Sequence, residues 1–370
     1  MGYGMRLSFA VICLVATLAT PAAAQDSLQD EFSELDWNVW CPCLINMTKA
    51  PIGYLPDSEP QGDHFAQIVV DENSLGGNKC RRNPPHSECR NPATAVTLGV
   101  HDDQPGLADT IDSLGPNFMN VFGARTFAMA VNDYCTPEVM ARAKAAGEED
   151  ECIQRQELQF QKPLVHDAAK PYLYSFRFRM PGAVEDTVNS IRWVTAQWKE
   201  EPVSNAYSEE FGENWGPSPF LAQRFDNGVL HVTVQDEHCR CMVASAPPAD
   251  NTGLTWENGV PKYCLSTHPK TENQACTPDL KVEYGDDPVL SSPVDRWVEM
   301  TYRVQAGRDK PAMIEIHEGG RFIVRITGSI GYKPEPGETV QTRFKIGQYR
   351  DYMPTVDAMD IDWVKREPAG

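Results

Sequence analysis

The second half of the chain is a run of short alternating segments separated by tight turns, and few folds accept that pattern. Tyr172 to Met180 alternates polar and apolar residues, and so does Ile191 to Lys199. Leu221 to Phe225 and Val229 to Val234 flank Asp226-Asn227-Gly228, a strong hairpin signal. Met313 to His317 and Arg321 to Ile326 flank Glu318-Gly319-Gly320, a second hairpin. Val298 to Val304, Phe344 to Tyr349 and Met359 to Val364 complete a set of at least nine strands. In each, residues two apart share a face, so one face can be buried and the other left polar. Strands do not alternate with helices, which excludes a parallel βαβ sheet and leaves an antiparallel β sandwich.

The first half reads differently. Arg6, the apolar run Leu7 to Leu18 and the small residues Ala22-Ala23-Ala24 have the order of a secretory signal, with cleavage expected before Gln25. The expected organisation is a signal peptide over 1–24 and one domain over 25–370. The expected location is secreted or periplasmic, with no membrane attachment after cleavage and a monomeric state. Asp26 to Trp40 suggests an edge strand followed by a turn. The stretch 41–150 is rich in Pro, Asn, Asp and Cys and reads as loops held by disulfides. One helix is expected at Pro137 to Ala146, with Thr136 as its cap and Gly147 as its stop.

Of the 11 cysteines, Cys13 falls in the signal and ten remain, an even number suited to disulfides in an exported chain. Cys80 with Cys89 and Cys135 with Cys152 are the expected local pairs. Cys239 and Cys241 are expected to pair with Cys264 and Cys276, in either order, within a Cys- and Pro-rich insertion over 239–295. The Cys41-Pro42-Cys43 and Cys239-Arg240-Cys241 spacings are not those of zinc sites. Asp-rich loops could hold a structural Ca²⁺, but none shows a recognisable ligand spacing, so no cofactor is expected.

A net charge of −19 argues against a nucleic-acid partner. It leaves room for a local basic cleft, because charges are screened over about 8 Å at physiological salt.

Three segments carry candidate chemistry. They are Gln154-Arg155-Gln156-Glu157-Leu158, Gln197-Trp198-Lys199 and Phe344-Lys345-Ile346-Gly347-Gln348-Tyr349. Two-residue periodicity pairs Arg155 with Glu157, Gln197 with Lys199, and Lys345 with Tyr349 across Gly347. The glycine would let a ligand approach the backbone closely. Trp193 shares parity with Gln197 and is the tryptophan with the best claim to a sugar-binding groove. Trp198, Trp297 and Trp363 read as core. His231 reads as a surface histidine.

In this order the segments resemble the β-jelly-roll polysaccharide lyases, namely the alginate lyases and, more closely, the heparin lyase I and glucuronan lyase group. That family shows an Arg-x-Glu-Leu strand, a Gln-x-His strand and a Phe-Lys-x-Gly-x-Tyr strand. The chain matches the first at Arg155, Glu157 and Leu158, the second at Gln197 alone, and the third at Phe344, Lys345, Gly347 and Tyr349. The likeness extends over roughly residues 153 to 366 and includes Asp295-Arg296-Trp297-Val298 and Asp360-Ile361-Asp362-Trp363. It implies an all-β, concanavalin-like jelly-roll sandwich with disulfide-stapled loop insertions. It also implies a secreted polysaccharide lyase acting on an anionic, uronic-acid-containing polysaccharide.

β-Elimination removes the C5 proton of a uronate and builds charge on its carboxylate, which donors and cations must stabilise. A base takes the proton and an acid protonates the departing O4. The resemblance implies Arg155 and Gln197 as carboxylate binders, Tyr349 as acid with the role of base also open to it, Lys345 as a substrate contact or a group that tunes Tyr349, and Lys199 at the place of the family's His; Trp193, by its parity, is the further substrate contact. Histidine titrates at about 6.5 and lysine at about 10.4, so a Lys199 base would need a strongly lowered pKa. The preferred expectation is that Lys199 stays charged and joins the carboxylate clamp, while Tyr349 moves the proton in both directions.

Two other functions fit the same sandwich. One is a non-catalytic carbohydrate-binding protein, supported by the replacement of His by Lys199. The other is a retaining glycoside hydrolase, which needs two carboxylates about 5–5.5 Å apart, and no strand supplies them. A disulfide-stapled adhesion protein would be expected to show repeats, and the sequence has none.

Overall fold

A computed structural model of the chain describes residues 27–32, 36, 39–44, 52–56, 64–70, 75, 134–145, 152–161, 164–182, 193–211, 217–226, 229–246, 256–257, 260–261, 264–268, 271, 275–308 and 311–370. The expected signal peptide and the expected Cys80–Cys89 pair lie outside these residues.

The N-terminal strands are β1 (Leu28–Asp30), β2 (Trp40–Leu44), β3 (Ile52–Pro56) and β4 (His64–Val70), followed by helix α1 (Pro137–Ala145). Next come β5 (Ile153–Phe160), β6 (His166–Asp167), β7 (Tyr172–Arg179), β8 (Trp193–Glu201) and the short helix α2 (Ala206–Phe211). The centre of the chain forms β9 (Leu221–Asp226), β10 (Val229–Gln235), β11 (Cys239–Ser245), β12 (Trp256–Glu257), β13 (Val260–Pro261), β14 (Cys264–Ser266) and β15 (Leu280–Tyr284). The last strands are β16 (Val298–Gln305), β17 (Ala312–Glu318), β18 (Arg321–Gly328), β19 (Gln341–Asp351) and β20 (Asp357–Pro368).

Eighteen of these strands build two nine-stranded antiparallel sheets, and β12 and β13 form a separate two-stranded ribbon. The first runs β15-β18-β17-β16-β7-β20-β4-β3, with β1 on β20; the second runs β14-β11-β10-β9-β8-β19-β5-β2, with β6 on β19. The fold is the expected all-β sandwich. The alternating segments all form strands, and both hairpins form, as β9–β10 and β17–β18. In the second hairpin Gly319 and Gly320 have φ of 54° and 81° with open space where their Cβ atoms would lie. Conformation, not crowding, calls for glycine there.

The region 41–150 departs from the expectation of loops alone. β2, β3 and β4 lie in it, and β4 pairs with β20 well inside the first sheet. Helix α1 forms where Thr136 and Pro137 predict it, and Thr136 Oγ1 accepts a hydrogen bond from the Val139 N–H at 3.4 Å. The Cys135–Cys152 disulfide ties that helix to the start of β5. Cys239 pairs with Cys276 and Cys241 with Cys264, which fixes the order that the sequence left open.

The sheets face each other across an aromatic core. Trp198 and Phe344 from the second sheet meet Tyr174, Phe176 and Tyr302 from the first, with Trp198–Phe344 and Trp198–Tyr302 ring centroids 4.9 and 4.7 Å apart. Phe344 and Ile346 thus clamp β19 from the core side, and every second residue of that strand projects the other way.

Candidate active site

The site lies on the face of the second sheet turned away from the core. On β5, β8 and β19, residues Leu158, Phe160, Ala196, Trp198, Phe344 and Ile346 belong to the core cluster. Their neighbours Arg155, Glu157, Gln197, Lys199, Lys345 and Tyr349 therefore take the opposite face. β19 lies between β5 and β8. Its register sets Tyr349 opposite Arg155, Gly347 opposite Glu157, and Lys345 opposite Gln197. Three segments far apart in sequence are thus brought together by strand pairing alone.

Glu157 is the hub. The Gln197 amide Nε2 donates a short hydrogen bond to Glu157 Oε1. Arg155 Nε and Lys345 Nζ stand 3.4 and 3.9 Å from Glu157 Oε2. The guanidinium carbon of Arg155 lies 3.9 Å from the centroid of the Tyr349 ring. Arg155, Glu157, Gln197 and Lys345 are only 7, 1, 1 and 6% exposed, whereas Tyr349 and Lys199 remain partly open. Burying this many polar groups away from the core is costly unless their hydrogen-bonding capacity is met. Yet Arg155 Nε and Nη1, Glu157 Oε2 and Gln197 Oε1 are buried without a hydrogen bond among the described residues. Unmet donors beside unmet acceptors suit a ligand that carries both a carboxylate and hydroxyls.

Burial lowers the Lys345 amine to about 7. The nearby Glu157 carboxylate opposes the shift, and the charges of Arg155 and Lys199 add to it. The near-neutral lysine on this face is therefore Lys345, where the sequence had raised that question only for Lys199. The register sets Lys199 opposite Arg343, and Tyr349 opposite Val194. The five residue steps from Val194 to Lys199, one of them in a bulge, span at most about 16 Å of strand, at roughly 3.3 Å each. Lys199 therefore stands with Lys345 and Arg343, well away from Tyr349.

Three expectations need correction. Trp193 does not face the groove. β8 carries one extra residue against β9 between Val194 and Ala196, and this bulge breaks the parity that linked Trp193 to Gln197. Trp193 is fully buried in the core cluster, with the Arg350 guanidinium 4.8 Å from its ring centroid. Gly347 does not open the backbone to a ligand either. Its φ is 137°, and a Cβ there would lie 2.5 Å from Gln156 O and 2.8 Å from Glu157 Cα, so the glycine serves the close approach of β5 at a bulge. Finally, His231 is not a surface residue. It is buried on the site face of β10, three strands from Tyr349. Burial, with the Arg224 charge beside it, takes its imidazole down to about 3.

Arg224 was not singled out from the sequence. It lies on β9 opposite Val194 and His231, nearly fully buried, with Nε donating to Thr233 Oγ1 at 3.2 Å. Its only sequence signal is parity. Leu221 belongs to the core cluster, so Ala222 and Arg224 take the other face.

No family model matches the chain, and no curated protein matches it. Solved structures show a remote likeness. An endo-β-1,4-glucuronan lyase from the fungus Trichoderma reesei aligns over 86% of this chain and 87% of its own, at 8% identity and a TM-score of 0.38. The family 7 alginate lyase A1-II′ in complex with product aligns over 60% and 74%, at 9% identity and a TM-score of 0.33. The alginate lyase AlyC3 in complex with dimannuronate aligns over 59% and 72%, at 13% identity and a TM-score of 0.33. Likenesses this remote assign no residue.

Proposed function

We propose that this protein is an exported polysaccharide lyase that cleaves a uronic-acid-containing polysaccharide by β-elimination. The observation that carries the reading is the buried Arg155–Glu157–Gln197–Lys345 cluster, with its unmet donors, beside the partly open Tyr349. In this reading the Arg155 guanidinium, the second Gln197 N–H and protonated Lys345 receive the uronate carboxylate. They stabilise the charge that grows on it as C5 loses its proton. Glu157 holds these groups in place before the substrate arrives, so little reorganisation is needed in the transition state.

Tyr349 moves the proton. As phenolate it takes the C5 proton; the C5–H electron pair becomes the C4=C5 double bond, and the C4–O4 bond breaks. The phenol then returns the proton to O4 of the leaving chain, so no external base or acid is consumed. The distance between Lys199 and Tyr349 along the sheet favours this version over a Lys199 base. Lys199 and Lys345 form the cationic flank of the clamp.

The test is the ultraviolet absorbance of newly formed unsaturated uronate. The oxidised protein is incubated in parallel with glucuronan, alginate, pectate, hyaluronan and heparin. Absorbance should rise with an unsulfated uronan and should not rise with Tyr349→Phe. An active Tyr349→Phe enzyme would overturn the proton route. Binding of one polymer with no absorbance change from any would favour the carbohydrate-binding alternative, for which Lys199 in place of His is the supporting observation.

A further inference from the structure

The site face opens to solvent at one end. Along β19 its residues run Tyr349, Gly347, Lys345 and Arg343, with Phe344 and Ile346 turned to the core. The register sets Arg155 beside Tyr349, Glu157 beside Gly347, Gln159 and Gln197 beside Lys345, and Lys199 beside Arg343. Arg155, Glu157, Gln197 and Lys345 are buried. The Arg343 and Glu201 side chains are 32 and 27% exposed, and Gln159 and Lys199 are half-buried. Arg343 lies about 7 Å along the strand from Lys345, at roughly 3.3 Å per residue, on the side away from Tyr349.

We propose that Arg343, held by Glu201 and flanked by Gln159, is a second carboxylate-binding subsite. It takes a neighbouring uronate of the chain whose reacting sugar sits at Tyr349. The polymer then lies along β19, and Lys345 stands between the two sugars. The proposal rests on the lyase reading for the polymer and for the place of the reacting sugar.

Three observations support it. First, Arg343 repeats the arrangement of Arg155. Arg155 Nε stands 3.4 Å from Glu157 Oε2, and Arg343 Nη2 stands 3.0 Å from Glu201 Oε2. A carboxylate thus orients each guanidinium, and the Nε of each is buried without a hydrogen bond among the described residues. Donor capacity is left over in both. A guanidinium held on one edge presents its other donors to a second carboxylate in a fixed plane, and an ammonium has no such plane. Second, the group is accessible. Exposure rises along the face from Lys345 to Arg343, so a polymer can reach this guanidinium without any strand moving. Third, the charges and the amide suit an acidic sugar. In a chain of net charge −19, Arg343 and Lys199 stand opposite each other with Lys345 on the same face. Such a local concentration of cations is what attracts a polyanion to an acidic protein. The Gln159 amide, opposite Lys345, brings both a donor and an acceptor for sugar hydroxyls and adds no charge.

The experiment separates binding from turnover. In the Tyr349→Phe background, calorimetry compares glucuronate and mannuronate hexasaccharides with the same chains after reduction of their carboxyls to alcohols. Arg343→Gln should weaken binding of the preferred uronate chain about tenfold or more, the scale of one hydrogen bond between charged groups. It should leave binding of the reduced chain within about twofold. Equal weakening of both chains, no weakening of either, or no binding of either uronate chain by the parent would overturn the subsite. So would an equal loss from Arg303→Gln, on the outer face of the other sheet, because net charge alone would then be what the polymer reads. Thermal melts verify that the variants are folded. If Arg343→Gln does not fold, Arg343→Lys is the second variant: it keeps the charge and loses the planar fork, and it should weaken the uronate chain alone, about fivefold. Unchanged uronate binding in Arg343→Lys would then overturn the proposal. Normal turnover with unaltered binding in Arg343→Gln removes the subsite and leaves the lyase reading standing. Selective loss of uronate binding in a protein that releases no unsaturated product from any polymer does the reverse.

Discussion

Arg155 places its guanidinium carbon 3.9 Å from the centroid of the Tyr349 ring while its Nε stands 3.4 Å from Glu157 Oε2. One side chain therefore joins the proposed proton carrier to the hub of the proposed carboxylate clamp. A cation against an aromatic face contributes about 0.5–2 kcal/mol depending on desolvation, and Arg does this better than Lys because it is planar.

Arg155→Lys should keep the charge and lose both the stacking and the fork. The expected result is a fall in kcat/KM of about a hundredfold or more, with the melting temperature little changed. Steady-state kinetics on the preferred polymer checks it; activity near that of the unaltered protein would mean that Arg155 only neutralises Glu157.

Gly347→Ala should damage fold and activity together. The residue would have to keep a φ of 137° and place its Cβ 2.5 Å from Gln156 O, which forces β5 away from β19. Misplaced backbone and overpacking each cost about 1–3 kcal/mol. Urea unfolding midpoints should fall clearly, and a variant as stable as the parent would show that the bulge can relax.

Two buried groups make stability depend on pH with opposite signs. Glu200 is fully buried with its Oε2 accepting the Tyr332 N–H at 2.5 Å, and burial raises its carboxyl from 4.5 to about 8. The folded state then binds more protons than the unfolded state between these values. The stabilisation is complete below 4.5 and is lost as pH rises through 8. Lys345 is lowered from 10.5 to about 7, so between those values the folded state binds fewer protons and stability rises with pH. Glu200→Gln should flatten the decline between pH 5 and 8, and Lys345→Met should flatten the rise between pH 7 and 10. Urea titrations at several pH values check both slopes; parallel curves for parent and variants would contradict them.

Reduction of the Cys135–Cys152 bridge should loosen the end of the second sheet. The bridge closes a loop with a sequence separation of 17 and holds α1 against Leu75 and Tyr352. A loop of that size is worth about 3 kcal/mol in the chain-entropy account. Cys135→Ser/Cys152→Ser should lower the melting temperature while leaving Tyr349-dependent turnover measurable at low temperature. An unchanged melting temperature would mean that α1 packing alone suffices.

Much of this was legible in the sequence because it depends on a period of two. Phe344, Ile346 and their polar neighbours announce their faces, and so do Arg155, Glu157 and Gln197. The reading failed where the period breaks or the partner is non-local. One extra residue near Thr195 turns Trp193 into the core, and no rule of composition marks such a bulge. The positive φ of Gly347 is imposed by a neighbouring strand, not by its own segment. β4, from His64 to Val70, does not alternate, and its place in the sheet is explained by its pairing with β20 and β3. Arg224 carries no motif, and only the strand pairing shows that it lies buried opposite His231. Lys345 is the lysine lowered to about 7 because burial, which a sequence does not display, outweighs the Glu157 carboxylate beside it.

On β19 the groups that would do chemistry alternate with the apolar side chains that hold the sheets together, Lys345 and Tyr349 on one side, Phe344 and Ile346 on the other. Such a strand has no independent opening mode. The backbone amides of Lys345 and Tyr349 should exchange with solvent deuterium only through whole-molecule unfolding. Heat would then switch the protein off at the temperature at which it melts, with no earlier, reversible loss of function confined to the site.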